Sequence, residues 1–316
     1  MLKVALVGVG GISGAHIPAW NSMGDCELVA LCDIREAQME RYPAQRHYTD
    51  FDQMLANEQI DILDICLPTY LHADFAVKAL QKGIHVLCEK PLSLKQKDVQ
   101  RVYRTAEENG VYFMVAQVLR FWPEYEIVKE IFDKKTYGDL LSGSMTRLGC
   151  YPKWSWDGWM MDETRSGLVP FDLHIHDLDF MVYAFGKPNG VDCHRARRPE
   201  QDYLHAVYAY DGFFITSEAS WYASPYPFRA QFRFQFAHAV VAWENGEMTI
   251  YEQSGKIWNP VGADAQGDTG SIGLPQSDAY ANEIRYFADC VKAHKAPTKV
   301  QPSELETVIG LLKKLK

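Results

Sequence analysis

Three short clusters in this 316-residue chain combine residue types that can do chemistry. The first is Cys88-Glu89-Lys90-Pro91, which closes an apolar run. Ligands of doubly wound sheets gather outside the carboxyl ends of the strands. A lysine there can hydrogen-bond a substrate oxygen and stabilise charge developing on it. Without company, the same lysine is an ordinary surface residue at a strand end. The second cluster is Phe171-Asp172-Leu173-His174-Ile175-His176-Asp177-Leu178-Asp179. On a helix, Asp172, His176 and Asp179 fall at i, i+4 and i+7 on one face. An aspartate one turn from a histidine can orient its imidazole and support the protonated form, the requirement for acid–base catalysis. A buried polar pair fixing helix packing has the same spacing. His174 points away from His176, so the pair is a poor helical chelate and no metal site is expected.

The third cluster is Gly8-Val9-Gly10-Gly11-Ile12-Ser13-Gly14, between a strand pattern and a helix pattern. Gly8 suits a tight turn, and Gly10 lets the backbone approach a pyrophosphate at the helix N-terminus. Ser13 replaces the third glycine of the usual fingerprint but is small enough for close packing. Glycine turns of this kind also occur for structural reasons alone. Asp33 ends the second strand pattern twenty residues after Ser13, where an acid can bond the adenosine ribose hydroxyls. Its alternative role is a helix cap. The acid disfavours a 2′-phosphate, so NAD is the expected cofactor, with NADP open through Arg35 two residues on.

These residues need a scaffold, and the sequence patterns supply one. Continuous apolar runs at 4–8, 28–33, 62–67, 84–89 and 111–117 alternate with helical patterns at 13–22, 73–82 and 96–109. Such strands predict a parallel sheet covered on both faces, wound by right-handed crossovers. Pro123 opens a further helix. From about Gly138 period-two patterns take over, at 140–150, 203–210, 213–222, 229–236 and 239–243, which predict an antiparallel sheet with one apolar face. Helices are expected at 170–185, 278–293 and 303–315, and a surface loop at 259–275. The expected fold is therefore α/β: an N-terminal Rossmann doubly wound parallel sheet over 1–120, then an α+β domain with a large, mainly antiparallel open sheet over 121–316. The C-terminal helix is free to pack back on the first domain.

Composition narrows the class. The chain is 47% hydrophobic and 23% charged with a net charge of −9, ordinary for a soluble globular protein. No long basic run is present, which argues against a nucleic-acid partner on electrostatic grounds. No apolar run reaches membrane-spanning length, and the first residues read straight into a strand rather than a signal peptide. The seven cysteines show no Cys-x-x-Cys spacing, so a cytoplasmic protein without structural disulfides is expected.

Taken in order, Gly8-x-Gly10-x-x-Ser13-x-x-His16, Glu89-Lys90-Pro91, Arg120-Phe121, Asp172-x-x-x-His176 and Ala279-Tyr280-x-x-Glu283-x-x-x-Phe287 resemble the Gfo/Idh/MocA oxidoreductase family, which includes glucose–fructose oxidoreductase and inositol dehydrogenase. The resemblance extends over essentially the whole chain. It implies that Lys90, Asp172 and His176 are catalytic and that a cis peptide bond precedes Pro91. The cofactor set is then Gly8, Gly10, Gly11, Ile12, Ser13, Asp33, Arg35, Pro68, His72, Glu89 and Lys90. The substrate set is Lys90, Arg120, Trp159, Asp172 and His176. His16 and His72 match family positions near the cofactor, or else pack helices. His174 stands where the family often has glycine, and is expected to reshape the pocket. Tyr151, Trp154, Trp156 and Trp159 form an aromatic loop that either stacks on a sugar face or belongs to core or a subunit contact.

The implied activity is reversible hydride transfer between NAD(P) and a secondary alcohol or ketone of a sugar, cyclitol or related polyol. Two alternatives share the fold: a redox-neutral NAD-dependent enzyme of the glycosidase type, and a non-catalytic NAD(P)-sensing regulator. Apolar alternation at Phe232, Phe234 and Phe236 is read as an exposed sheet face, which predicts a homodimer or homotetramer.

Overall fold

The computed structural model describes residues 1–43, 45–261 and 278–315. The expected loop at 259–275 falls mostly outside the described residues. The chain forms two compact units, one of Met1–Val118 with Asp278–Pro302, the other running from Leu119 and taking in the chain from Ser303 onward.

The first unit strings together β1 (Leu2–Val7), α1 (Ser13–Asn21), β2 (Cys26–Cys32), β3 (Arg46–Tyr48), α2 (Phe51–Asn57), β4 (Ile62–Ile65), α3 (His72–Leu80), β5 (His85–Glu89), α4 (Lys97–Glu108) and β6 (Phe113–Ala116). The strands form one sheet in the order β3-β2-β1-β4-β5-β6, and every pairing is parallel. Strand order reverses between β1 and β4, which opens the crevice where ligands of such sheets bind. Residues of β1, β4, β5 and β6 are almost wholly buried, as strands covered on both faces must be. β3 and α2 were not expected from the sequence. Arg46-His47-Tyr48 has no apolar run to mark it, and α2 is announced only by Asp50, whose side chain accepts the Gln53 N–H at 2.8 Å.

The second unit contains α5 (Pro123–Lys134), β7 (Leu140–Cys150), α6 (Glu163–Ser166), α7 (Ile175–Phe185), β8 (Gly190–Arg198), β9 (Gln201–Ala209), β10 (Phe214–Tyr222), β11 (Arg229–Phe236), β12 (Ala239–Glu244), β13 (Glu247–Glu252) and β14 (Ile257–Trp258). Its eight strands run β14-β13-β12-β11-β7-β10-β9-β8. All pairings are antiparallel except β7 with β10. β8 was missed in the sequence because Asp192, His194, Arg195, Arg197 and Arg198 hide its alternation. Two helices follow, α8 (Ala279–Lys292) and α9 (Pro302–Leu312). α8 packs on α1 within the first unit, so 279–302 leaves the expected C-terminal domain. α9 from Ser303 on stays with the second.

The oligomer expectation loses its premise here. Phe232, Phe234 and Phe236 are 1%, 0% and 2% exposed. They face α5 and α7, with ring centroids 5.0 Å from Tyr125 to Phe232 and 5.5 Å from Phe185 to Phe234. On β7 beside them, a Cβ at Gly143 would come within 2.6 Å of the Phe234 ring, so only glycine fits. The opposite sheet face carries Ser142, Ser144, Thr146, Gln231, Arg233 and Gln235, which are half-buried or exposed. Period two gives alternation but not which side the helices cover. The facing predicts that Phe234→Ala costs about 3–5 kcal/mol in urea denaturation, while Gln235→Ala stays within about 0.5 kcal/mol. Equal small costs for both would show that the assigned facing is wrong.

Candidate active site

At the carboxyl end of β1 the chain turns sharply through Gly8, whose φ is +93°. A Cβ there would lie 2.6 Å from the Cys66 carbonyl oxygen at the end of β4. Sterics therefore demand glycine twice over. Gly10 is different: a Cβ on it would meet nothing within 4 Å, leaving open space against bare backbone. α1 begins immediately after with no acidic residue in its first turn and no side-chain cap. A helix start leaves its first N–H groups without intrahelical acceptors, so this end suits a phosphate. Ser13 is fully buried and its hydroxyl bonds the Gly10 carbonyl at 2.7 Å, bracing the turn.

Asp33, 7% exposed, lies at the end of β2. One carboxylate oxygen accepts the Val9 N–H at 2.8 Å and the other accepts the Arg35 N–H at 2.8 Å. The Arg35 guanidinium also lies on Asp33, its Nε at 3.3 Å. Asp33 thus holds the glycine turn rather than capping a helix. Pro68, half-buried, follows β4 and opens the 3₁₀ turn before α3. His72 is 1% exposed, and its ring nitrogens face the carbonyl oxygens of Pro91 at 2.8 Å and Leu67 at 2.5 Å. It therefore staples the loop after β5 to the loop after β4, and burial pulls its imidazolium down against the two carbonyls. Lys90 is half-buried at the end of β5, ahead of a cis bond to Pro91. Its N–H bonds the Glu89 carboxylate at 3.0 Å. These residues fit a dinucleotide: a bare glycine backbone, a helix start clear of acids, and an acid at the second strand end.

In the second unit, Leu168 sits in the left-handed region at φ +59°. A turn of π-helix, Pro170–His174, then leads into α7. Strain and π-turns of this kind concentrate at functional sites. From Leu168 to Val182 every residue is buried except Asp172 and His176. Between Leu168 and Val182 only this i, i+4 pair, a carboxylate and an imidazole, is more than marginally exposed, and Tyr183 and Phe185 at the end of α7 are half-buried.

The neighbours expected to join that pair serve the interior instead. Asp179 is 1% exposed and holds Arg120 in a two-pronged contact, Nε at 2.8 Å and a terminal nitrogen at 2.6 Å. Arg120 is fully buried and also bonds Glu304. Its guanidinium is held by these two carboxylates, in the interior rather than beside Asp172 and His176 on the half-buried face. His174 is fully buried too, bonded to the Tyr208 hydroxyl at 2.6 Å and the Ser217 hydroxyl at 3.2 Å. It points into the sheet, towards β9 and β10. Asp177 is clamped by Arg147 at 2.8 Å. Trp159 is half-buried in the 3₁₀ stretch Trp156–Met161, and Trp154 and Trp156 are 64% and 38% exposed. Tyr151 instead packs edge-on against Trp221 at 5.9 Å.

Sequence reading missed Asp64, fully buried in the middle of β4. The signal was available: one acid inside Ile62-Leu63-Asp64-Ile65 is costly unless it is paired. Its partner is His16, on Nδ1 at 2.8 Å.

The comparisons agree with this architecture. A family model described as an oxidoreductase family with an NAD-binding Rossmann fold matches residues 2–117, and the GFO/IDH/MocA C-terminal domain matches 125–257. D-apiose dehydrogenase of Paraburkholderia graminis is 29% identical over 188 residues, 58% of this chain and 50% of that protein. 2,7-anhydro-N-acetylneuraminate hydratase of Mediterraneibacter gnavus is 30% identical over 138 residues, 44% of this chain and 37% of that protein. The chain thus spans half or less of the length of these relatives. The solved myo-inositol 2-dehydrogenase of Lactobacillus plantarum superposes with a TM-score of 0.81 at 20% identity, over 99% of this chain and 95% of that one. No helix among the described residues is long and apolar enough to cross a membrane.

His174 yields a pH prediction. Burial first, and then Arg147, lower its imidazolium to about 3, whereas an unfolded histidine takes a proton near about 6.5. Stability from this group is complete above the unfolded value and is lost as pH falls towards the folded one. Going from pH 7 to pH 5 it should remove roughly 2 kcal/mol. His174→Gln should lose that much less than the parent over the same interval in urea denaturation. Parallel losses in the two proteins would rule the assignment out.

Proposed function

The chain belongs to the GFO/IDH/MocA oxidoreductase family, and from that premise we propose that it oxidises a secondary alcohol of a sugar, cyclitol or related polyol, and reduces the corresponding ketone, using NAD. The observation that carries this reading is that from Leu168 to Val182 every residue is buried except Asp172 and His176. Its support for the substrate class is the chemistry named for its relatives, a D-apiose dehydrogenase and an inositol 2-dehydrogenase.

In this reading His176 accepts the hydroxyl proton on its imidazole. Asp172, one turn earlier, orients the ring and favours its charged form. Lys90 donates a hydrogen bond to the reacting oxygen and offsets the charge that develops there. Gly10 and the start of α1 take the pyrophosphate, and Asp33 takes the ribose hydroxyls while still bracing Val9. Trp159 and its loop wall the reacting carbon from water. When bound, NAD supplies the hydride acceptor.

The test is a panel of sugars and polyols followed by nicotinamide absorbance. On the best substrate, His176→Ala and Lys90→Ala should each slow turnover by about two to four powers of ten. For His176→Ala, NADH affinity read by fluorescence titration should stay within about threefold, because the proposed nucleotide contacts lie in the first unit and His176 in the second. Normal turnover in both variants would refute the site. Asp33→Ser should shift the ratio of dissociation constants towards NADP(H); an unchanged ratio would take the ribose role away from Asp33.

A second reading has one observation behind it, the relative named a hydratase. A redox-neutral enzyme would convert its substrate with NAD bound but accumulate no NADH. Product formation without net absorbance change selects it over the first.

A further inference from the structure

Beneath the glycine turn lies a set of charges that the proposed reaction does not use. His16, on α1, is fully buried. Its Nδ1 faces Asp64 of β4 at 2.8 Å and its Nε2 faces Glu89 of β5 at 3.1 Å. The Trp20 indole N–H donates to the same Asp64 oxygen at 2.7 Å. The second Glu89 oxygen accepts the Lys90 N–H at 3.0 Å. The Cys66 thiol lies 3.7 Å from the other Asp64 oxygen, and the Tyr280 ring of α8 closes the side at 5.8 Å.

The hydrogen-bond inventory fixes the state of the ring. A neutral imidazole has one N–H and one lone pair, so one of its two carboxylates would face a lone pair. With both acids ionised, only the imidazolium satisfies both contacts. Burial opposes that charge, but Asp64, with Cys66 beside it, outweighs burial and holds the proton well above the ordinary histidine value. Two carboxylates and one imidazolium leave a single negative charge at the end of β5, where Lys90 stands.

We propose that His16 is a positioning residue for Lys90: gripped by Asp64, it holds the Glu89 carboxylate on the Lys90 amide and so ties the first helix of the nucleotide fold to the strand end that carries Lys90. The proposal rests on the reading of Lys90 as the group that holds the reacting oxygen. Its physical motive is that buried ion pairs seldom add stability over well-packed apolar groups, whereas they do fix one geometry. Three charges beneath this turn are a costly way to fill space and an effective way to aim a strand end. A metal ion is a poorer explanation for the same residues, since it would have to displace both the His16 proton and the Trp20 N–H from Asp64.

The test uses the full chain with lysines reductively methylated in carbon-13, and Lys90 identified by its loss in Lys90→Arg. The readout is the titration midpoint of the Lys90 methyl signal, so it does not depend on knowing the substrate. His16→Gln and Glu89→Gln should each move that midpoint by roughly half a unit or more. The double variant should move it no further than Glu89→Gln alone, because the effect of His16 passes through Glu89. Ile17→Val, at a fully buried neighbour on α1, should lower stability and leave the midpoint in place. If His16→Gln does not fold, the ring nitrogens of the parent serve instead: nitrogen-15 shifts should show a doubly protonated His16 at pH 8. A neutral ring at that pH overturns the proposal. So does an unmoved Lys90 midpoint in a folded His16→Gln, or a stoichiometric metal in the purified protein that His16→Gln removes. If Lys90→Ala proves active while these shifts appear, the catalytic reading fails and the positioning contact survives.

Discussion

One buried carboxylate, Asp64, organises the first unit. It stands in β4, between β1 and β5 at the reversal of strand order, with no solvent to stabilise its charge. An unpaired carboxylate there would be too costly to keep, so donors must reach it. Both His16 and Trp20 come from α1 and lie one helical turn apart. Their shared target fixes the rotation of α1 about its axis as well as its distance from the sheet. The start of α1 and the turn from Gly8 to Ser13 inherit that placement. Gly8 then has to pass within van der Waals range of the end of β4, which is why no side chain is tolerated on it. The open backbone at Gly10 follows from a charge pair buried a full turn deeper.

The second unit solves a related problem with arginines. Arg147 of β7 reaches Asp177, Arg120 reaches Asp179, and Arg195 of β8 reaches Asp202, which in turn accepts the Val169 N–H at 3.2 Å. Each pair ends on or beside the segment that contains α7. Charges on the inner faces are neutralised by the framework, and the π-turn lets the helix start without breaking those contacts. From Leu168 to Val182, Asp172 and His176 are the two residues that are half-buried rather than buried.

Fold class was legible because continuous and alternating apolar runs differ in what they can be packed against. β1, β2, β4, β5 and β6 read as unbroken runs, whereas β7 and β9 to β12 read as alternation. The polar strands β3 and β8 were not legible, since Arg46-His47-Tyr48 and the arginines of β8 carry no hydrophobic period. Facing was not legible either: Phe232, Phe234 and Phe236 announce an apolar face, but whether α5 and α7 or solvent lies against it depends on long-range packing. At the candidate site, Lys90 at a strand end and the Asp172–His176 spacing could be read directly. The pairing of Asp179 with Arg120 could not, because their partnership spans 59 residues of sequence. Asp64 was readable in principle as the one acid in an apolar strand. Only a partner search over α1 would have turned it into a cluster.

The choice between a structural and a functional role for these buried charges turns on what they constrain. Replacing an ion pair by packed hydrocarbon often leaves stability unchanged or improved, so burial energy alone does not account for Arg120–Asp179, Arg147–Asp177 or His16–Asp64. Hydrocarbon contacts vary gently with angle, while a two-pronged guanidinium–carboxylate contact is satisfied over a narrow range of orientation. A helix held by such contacts keeps its azimuth when solvent, ligand or temperature perturbs the packing around it. For the general base and orienting acid proposed above, that matters more than depth in the core, since a shift of about 1 Å can cost about two orders of magnitude in rate. The charges cluster around α1, whose start is the proposed phosphate site, and around the π-turn and α7, which carry Asp172 and His176 of the proposed catalytic pair. The inner face of β11, by contrast, meets the helices through aromatic packing at Phe234.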